Sequence, residues 1–416
     1  MPMLLNRPRA TQYLRNCGLD ALVAASPANV TYVTNYYCWL DSLTKEYMMH
    51  PGGGSHNALQ CFAVLPVDAR PALIVPTMLA VNAADIWVDD LYLVGKAGFD
   101  VVLPPHDVVP AVEQLAQRLR EETVNGDETA ALVSCLNDRG LSDARIGLEM
   151  TGLRPEAIEK ITLALPRAKI EDCTNLLRLI RMVKTAEELR RLQRSADINE
   201  RAAMHSLALA EAGLPVADIV ENFRQRIAAE GAEFDHFAFG YDGLGIAMEP
   251  AYVLRETDVM YVDFGCLWGH YFSDGGTTLA MAELPPPLKT RYDALQHCVA
   301  AGIETMRPGQ KTSAVRDAMW NALSGQGVTA SFPHGHGLGL EIRDYPILMA
   351  DNGLRIRDDC VDIPSDVPLE EDMVINLESA IFMPGVASLH LETSLVVTAA
   401  GSRLLAPHDR TAPVMP

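Results

Sequence analysis

The sequence predicts an α+β protein of two domains, in which a layered α/β domain precedes a domain built on an internal repeat. The chain has 416 residues, 49% of them hydrophobic, which is enough to form two cores. Short apolar runs alternate with segments of helical spacing in the first part, as is typical of a layered α/β domain. In the second part, the order helix, helix, strands and acidic hairpin occurs twice, which indicates pseudo-twofold symmetry without sequence identity between the halves.

In the first domain, residues 1–172, strands and helices are separated by turn residues such as Ser26-Pro27. The predicted elements are a strand at Leu19–Ala25, a hairpin of Gln60–Leu65 with Ala72–Val75, a helix at Asp107–Leu119, a strand at Arg145–Met150 and a helix at Pro155–Leu165.

A linker is predicted at residues 173–184, so the second domain covers residues 185–416. A long helix begins behind Thr185, where Glu188 completes a capping box, and Gly213 is predicted to end it. The other predicted helices are Val216–Gly231, Pro287–Met306 and Thr312–Gly325.

The first acidic hairpin joins strands predicted at Val259–Phe264 and Tyr271–Leu279. Trp268-Gly269 is the turn signal between them, and a two-residue loop there places Asp263 directly opposite Asp274. Opposed Cβ atoms lie about 4.5–5.5 Å apart, so two carboxylates repel unless a proton or a cation lies between them.

The second acidic hairpin joins strands at Val374–Phe382 and Ser388–Thr398 through the loop Met383–Ala387. Glu378 and Glu392 are each seven residues from Gly385 at the loop centre, so they too are predicted to face each other. Between the two hairpins lies the glycine-rich stretch SFPHGHGLGLEIR, residues 331–343. Its glycines allow a close backbone approach and leave His336 free to point towards the carboxylates.

These residues form a candidate site for two divalent ions. An aspartate in a strand usually faces solvent and a lone histidine is usually a satisfied polar residue. Four acids on two apolar hairpins, with no lysine to neutralise them, favour a metal site. Oxygen donors with one imidazole suit Mn²⁺ first, with Co²⁺, Zn²⁺ or Fe²⁺ as alternatives. The predicted ligands are Asp263, Asp274, His336, Glu378 and Glu392.

The ligand set resembles that of the creatinase, prolidase and aminopeptidase P family. The matching motifs are VDFG at Asp263, SDGGTT at Asp274, GHGLGLE at His336, NLES at Glu378 and LHLET at Glu392. The resemblance implies a creatinase-like N-terminal domain, a C-terminal catalytic domain with the pita-bread fold, two metal ions and a homodimer.

The resemblance also implies a metal-dependent hydrolase of the Xaa-Pro dipeptidase or aminopeptidase type. Such an enzyme cleaves an amide bond in a dipeptide-like or small amide substrate through a hydroxide that bridges the two ions. The glutamate matching Glu378 binds metal and passes the proton of the water to the leaving nitrogen. Members of the same fold act on small zwitterions as creatine or ectoine hydrolases, or as dimethylsulfoniopropionate lyases, and these activities remain alternatives. A non-catalytic binding protein is a third alternative, against which the intact ligand set argues.

Four departures from the peptidase pattern leave the substrate open. In the proline peptidases of this family, a histidine lies in the strand before the first aspartate, and a tyrosine often stands four residues after the first glutamate. Here the stretch Gly245–Leu254 contains no histidine, and Phe382 replaces the tyrosine. Arg343 stands where a histidine is expected, and His390 where an arginine is expected, on the same strand face as Glu392. We therefore predict that His390 and Arg343 have exchanged roles as catalytic hydrogen-bonding and anion-binding groups. The alternative is that Arg343 is a surface charge and His390 a structural partner.

Substrate contacts are predicted at Tyr36 and Trp39, within an aromatic cluster that precedes the glycine run 52–54, and at His334. An aromatic wall attracts a cationic substrate group, and the glycine run would let the segment close. The alternative is that the cluster fills the core of the first domain.

The charge and composition of the chain limit the classes of partner and the cellular compartment that the sequence predicts. The net charge of −20 argues against nucleic acid and against anionic membrane surfaces as partners. The partner that the resemblance implies is a dipeptide or other small molecule. The eight cysteines form no CxxC pair, no apolar run reaches about 18 residues, and the start MPMLLNRPRA lacks the apolar core of a signal peptide. These features predict a cytoplasmic protein.

Overall fold

The computed structural model describes residues 2–37, 59–95, 109–121, 123–124, 126–248, 251–408 and 411–416. Trp39 and the glycine run 52–54 lie outside these residues. The chain divides into two compact units. The first unit contains Met1–Arg181 with Ile356–Ile363, and the second contains Met182–Arg355 with Pro364–Pro416.

The first unit is a layered α/β structure around a seven-stranded mixed sheet of order β5-β4-β3-β2-β1-β6-β7. Its strands are β1 (Ala21–Ala24), β2 (Phe62–Pro66), β3 (Ala72–Pro76), β4 (Asp90–Val94), β5 (Thr123–Val124), β6 (Arg145–Leu148) and β7 (Lys169–Asp172). Its helices are α1 (Arg7–Cys17), α2 (Pro27–Thr34), α3 (Pro110–Glu121), α4 (Glu128–Asp138), α5 (Pro155–Ala164) and α6 (Thr174–Arg181), with a 3₁₀ helix at Thr77–Ala83. The predicted hairpin of β2 with β3 is confirmed.

Two features of this unit differ from the sequence expectations. The segment 173–184, expected to be a linker, contains the helix α6, which buries Leu176, Leu177 and Ile180. Tyr36, expected to contact substrate, has no exposed surface, and its hydroxyl donates to Leu79 O at 3.4 Å. Tyr36 is therefore a core residue of the first unit, in line with the alternative interpretation of the aromatic cluster.

The second unit is organised around a strongly symmetric sheet of order β13-β12-β16-β17-β11-β10-β8-β9, to which β18 adds beside β17. Its strands are β8 (Glu233–Gly240), β9 (Ala247–Met248), β10 (Val259–Trp268), β11 (Tyr271–Ala280), β12 (His334–Gly337), β13 (Asp344–Leu348), β16 (Val374–Met383), β17 (Ala387–Thr398) and β18 (Gly401–Leu404). A separate hairpin pairs β14 (Arg355–Arg357) with β15 (Asp362–Pro364), and its residues Ile356–Ile363 belong to the first unit. The series β9, β8, β10, β11 matches β13, β12, β16, β17 about the sheet centre. The predicted pseudo-twofold α+β architecture is thus confirmed.

Four helices belong to the second unit in the described part of the chain. They are α7 (Ala186–Leu207), α8 (Val216–Ala229), α9 (Pro286–Thr305) and α10 (Thr312–Gly325). No helix in the described ranges combines the length and apolar character needed to cross a membrane.

The capping box that starts α7 is present, but the helix ends at Leu207 rather than next to Gly213. The backbone beyond the helix bonds to another segment instead: Gly213 N donates to Leu254 O at 2.8 Å, and Leu254 N donates to Leu214 O at 2.9 Å. Tertiary pairing therefore overrides the local helical preference.

Glu188 in this capping box predicts a pH-dependent stability. The residue is 2% exposed, and burial raises its pKa to about 7 from the ordinary 4.5. The folded state then binds more protons than the unfolded chain between these two values, so this stabilisation is complete below about pH 4.5 and is lost as the pH rises through 7. Glu188→Gln keeps the box and cannot ionise. From pH 5 to pH 8 its stability relative to wild type should rise by up to about 3 kcal/mol.

The measurement is the urea midpoint of both proteins at the two pH values, with the same chelator in every sample. A difference between the two proteins that stays constant with pH would contradict this prediction.

Candidate metal centre

The first acidic hairpin has a different register from the one predicted. Its turn is Gly269-His270, with φ of 57° and 72°, and Trp268 pairs with Tyr271. The prediction that Asp263 directly opposes Asp274 is wrong, because Asp263 pairs with Gly276. The register change of two residues leaves every side chain on its predicted face, so the aspartates are diagonal neighbours on one face.

The second acidic hairpin has the predicted register, with Glu378 opposite Glu392. The two hairpins then lie side by side because Gly276 of β11 pairs with Glu392 of β17. One row across the sheet therefore contains Asp263, Gly276, Glu392 and Glu378. A Cβ added at Gly276 would lie 2.6 Å from Glu392 Oε2, so glycine keeps the centre of this row open.

His336 enters the site from β12, next to β16. It is 1% exposed, and Nδ1 donates to Gly337 O at 3.0 Å, which leaves the lone pair of Nε2 towards the carboxylates. Nε2 lies 3.5 Å from Asp274 Oδ2 and 3.8 Å from Glu378 Oε1. A Cβ at Gly337 would meet Tyr345 O at 2.1 Å, so the glycine permits a close backbone approach.

His390 lies on the metal-facing side of β17 and is completely buried. Its Nδ1 donates to Val262 O at 3.0 Å, and Nε2 lies 3.8 Å from Glu378 Oε2 and 3.7 Å from Glu392 Oε2. Its ring stacks on Tyr261 with centroids 3.9 Å apart. The structure thus places His390 within the carboxylate cluster.

Arg343 and His334 both approach Glu378. His334 Nε2 lies 2.7 Å from Glu378 Oε1, and Arg343 Nη2 lies 3.5 Å from the same oxygen. The Arg343 side chain is 61% exposed, so its guanidinium can meet a ligand that enters from solvent.

Three residues at the site were missed by the sequence analysis. His236 on β8 has Nε2 2.9 Å from Asp263 Oδ1, the Tyr261 hydroxyl donates to Asp263 Oδ2 at 2.8 Å, and the Asn376 amide donates to Glu392 Oε1. The available signal for His236 was its place two residues before Ala238, because Ala238 pairs with Asp263 and the two-residue period puts His236 on the same face; Phe234, beyond the bulge, faces the core.

The carboxylates divide into two groups by their pKa values. Burial, together with the nearby Asp263 carboxylate, raises the pKa of Asp274, and burial with three neighbouring carboxylates raises that of Glu392. For Glu378 and Asp263 burial acts in the same direction but is outweighed by hydrogen bonds from histidines, so their pKa values are lowered. The buried negative charge at Asp274 and Glu392 is the kind that a bound cation compensates.

His236 and His334 respond to this charge. Burial alone would lower their pKa values, but hydrogen bonds to Asp235 and Asp263 raise the pKa of His236 to about 10. The hydrogen bond to Glu378 likewise raises the pKa of His334. Without a cation, these imidazoles would hold the compensating protons.

The residues present fit divalent metal ions. Buried polar atoms without a hydrogen bond include His336 Nε2, His390 Nε2 and Glu392 Oε2, all of them possible ligand atoms. Three groups of side chains have donor atoms within 4.8 Å of one another: His236, Asp263 and Asp274; Asp274, His336 and Glu392; and Glu378, His390 and Glu392. Because Asp274 and Glu392 each belong to two groups, adjacent ions could share them.

A cavity of about 570 Å³ reaches Glu392 from the side of α9 and β18, and one of about 460 Å³ opens beside Glu378 and His334. Aromatic residues Tyr261, Phe332 and Phe382 line the second cavity, and Tyr261 stacks on Phe382 at 5.7 Å. An apolar pocket next to convergent polar groups is a suitable substrate site.

Comparisons with known proteins agree with this arrangement. Residues 190–399 match the model of metallopeptidase family M24, and residues 7–183 match the creatinase/prolidase N-terminal domain. The probable dipeptidase PepE of Mycobacterium tuberculosis is 28% identical over 313 residues, 73% of this chain and 79% of that protein. The Xaa-Pro dipeptidase of Pyrococcus horikoshii is 24% identical over 251 residues, 58% of this chain and 66% of that protein.

Solved structures establish the fold. The X-Pro aminopeptidase from Thermotoga maritima superposes with a TM-score of 0.72 at 18% identity, over 96% of this chain and 99% of that one. Dipeptidase PepE from Mycobacterium ulcerans has a TM-score of 0.72 at 20% identity, over 97% of this chain and 95% of that one. The expected pita-bread fold behind a creatinase-like domain is confirmed. The M24 model alone matches half of the chain, and the protein therefore belongs to metallopeptidase family M24, as a metal-dependent hydrolase.

Proposed function

We propose that this protein is a dinuclear dipeptidase, which hydrolyses the amide bond of a dipeptide or a similar small amide. The observation that carries the proposal is the convergence of the buried donors, with the unsatisfied atoms His336 Nε2 and Glu392 Oε2 among them. The names of the PepE and Xaa-Pro dipeptidase relatives support a dipeptide as the substrate class. The oxygen-rich donor set favours Mn²⁺, with Co²⁺, Zn²⁺ or Fe²⁺ as alternatives.

In this proposal, Asp263 and Asp274 would hold one ion, and Asp274, His336, Glu378 and Glu392 would hold the second. Paired ions of this kind supply a water of lowered pKa and polarise the substrate carbonyl. Glu378 accepts the proton of the attacking water and delivers it to the leaving nitrogen. Its lowered pKa suits the first half of that role, because the carboxylate is ionised when the substrate binds.

In this proposal, Arg343 and His334 receive the carboxylate of the substrate. Both reach Glu378 Oε1, His334 lines the cavity, and the exposed guanidinium of Arg343 can form a bidentate pair with a carboxylate. In the proposed exchange of roles, Arg343 is the anion-binding group and His390 is the catalytic hydrogen-bonding group. The buried Nε2 of His390 faces Glu378 and Glu392.

A second candidate function is the hydrolysis or lysis of a small zwitterion. The aromatic lining of the cavity by Tyr261, Phe332 and Phe382 favours it, because such rings attract a quaternary ammonium or sulfonium group by roughly 0.5–2 kcal/mol. The homodimer and the cytoplasmic location stay predictions.

The proposal predicts close to two divalent ions per chain and turnover of dipeptides. Elemental analysis after purification without chelators measures the first, and a panel of Xaa-Pro and other dipeptides, with Mn²⁺, Co²⁺ or Zn²⁺ added, measures the second. C-terminally amidated dipeptides serve as matched substrates that cannot pair with Arg343, and we expect their KM to be higher.

Metal-loaded protein that hydrolyses no dipeptide but converts a betaine or sulfonium zwitterion would select the second candidate. Protein that binds no divalent ion at all would contradict the dinuclear centre.

A further inference from the structure

We propose that His236 is an additional nitrogen ligand of the ion held by Asp263 and Asp274, and that Asp235 is the residue that orients it. The inference rests on the proposed dinuclear centre and extends it by one imidazole on the β8 side.

The position of the His236 ring carries the first part of the argument. Nε2 lies 2.9 Å from Asp263 Oδ1 and 3.5 Å from Asp274 Oδ1, so one nitrogen and two oxygens converge from three strands. The neighbouring strand is shaped to receive the ring. A Cβ at Gly265, which pairs with His236, would lie 2.4 Å from the ring atom Cε1.

A β-bulge gives the ring its orientation. Gly265 pairs with His236 and the next residue, Cys266, pairs with Phe234, so Asp235 is the extra, unpaired residue of β8. A bulge redirects the side chains next to it. Here it brings the carboxylate of Asp235 to 2.7 Å from Nδ1 of the adjacent His236.

This carboxylate–imidazole pair is the arrangement found behind metal-bound histidines. The oxygen of Asp235 accepts the hydrogen of Nδ1, which leaves the lone pair of Nε2 for an ion between Asp263 and Asp274. Metal-ligating histidines almost always donate their other ring N–H in this way. With His236 and His336 both as ligands, the donor set moves towards Zn²⁺, Co²⁺ or Fe²⁺, which accept imidazole readily.

The test is pulsed electron paramagnetic resonance on the full chain, labelled with ¹⁵N-histidine, stripped of metal and reloaded with Mn²⁺. Wild type should show couplings from two inequivalent coordinated histidine nitrogens, whereas the centre without His236 gives one. His236→Ala should remove one coupling, and isothermal titration should show one of two Mn²⁺ sites weakened about 10-fold or more. Asp235→Asn, which keeps the ring, should weaken the same site about 10-fold.

The matched control is His297→Ala, which removes an exposed histidine of α9 and should leave both sites unchanged. Wild type with two bound ions and a single nitrogen coupling would overturn this inference while leaving the dinuclear centre intact. Two sites of unaltered affinity in a folded His236→Ala protein would overturn it as well. Wild type that binds no ion would instead count against the proposed function.

Discussion

Glu378→Gln should lower kcat/KM by about three orders of magnitude or more. Glutamine keeps the side-chain volume but cannot accept the proton of the attacking water, and general acid–base catalysis alone contributes about 10²–10⁴-fold. Glutamine is also a weaker ligand than a carboxylate, so part of the metal affinity is lost. Two further contacts would lose their charge complement, because His334 and Arg343 both approach this side chain.

The measurement is steady-state hydrolysis of the best dipeptide, with metal content determined on the same samples. Glu304→Gln is a matched control, because Glu304 is exposed on α9 and outside the carboxylate cluster. We expect its kcat/KM to equal that of wild type. A Glu378→Gln protein with both ions bound and more than a tenth of wild-type turnover would show that another group moves the proton. His334 would be the next candidate.

The two acidic hairpins show how far the sequence defines the site. The register of the glutamate hairpin follows from its loop, because Met383 pairs with Ala387 around a glycine with φ of 76°. The register of the aspartate hairpin depends on His270 adopting φ of 72°, which histidine rarely does. The sequence favoured a turn one residue earlier, yet the face of each aspartate was predicted correctly because the side-chain period of a strand is two.

Residues that come from other strands could not be assigned in the same way. His236 is 27 positions before Asp263, and its ring reaches the site only because β8 pairs with β10 and carries a bulge. Tyr261 stacks on His390 across strands that are far apart in sequence. Pairing between distant strands leaves no pattern in the local sequence, so a single sequence does not predict it. The repeat of helices and hairpins is predictable, because the local spacing of apolar residues indicates each helix and strand.

Removal of the metal ions should lower the thermal stability of the protein together with its activity. Ions that bind only the folded state stabilise it by about 4 kcal/mol when their free concentration is a thousandfold above Kd. For a unit of this size, that corresponds to a fall in Tm on the order of 10 °C. The physical reason is visible at Asp274 and Glu392, whose buried carboxylates lie close to other acids and lose their compensating charge.

Differential scanning calorimetry before and after chelation measures this effect, with elemental analysis to prove removal and readdition of Mn²⁺ to prove reversal. Glu392→Gln separates metal loss from a structural defect. It removes one buried charge, keeps the side-chain length and can still accept the hydrogen bond from Asn376. The chelated variant should therefore melt above chelated wild type, although added metal stabilises it less, because an uncompensated buried charge costs several kcal/mol. If fully stripped wild type keeps its Tm, protons on His236 and His334 already neutralise the cluster, and the carboxylates do not need an ion to fold.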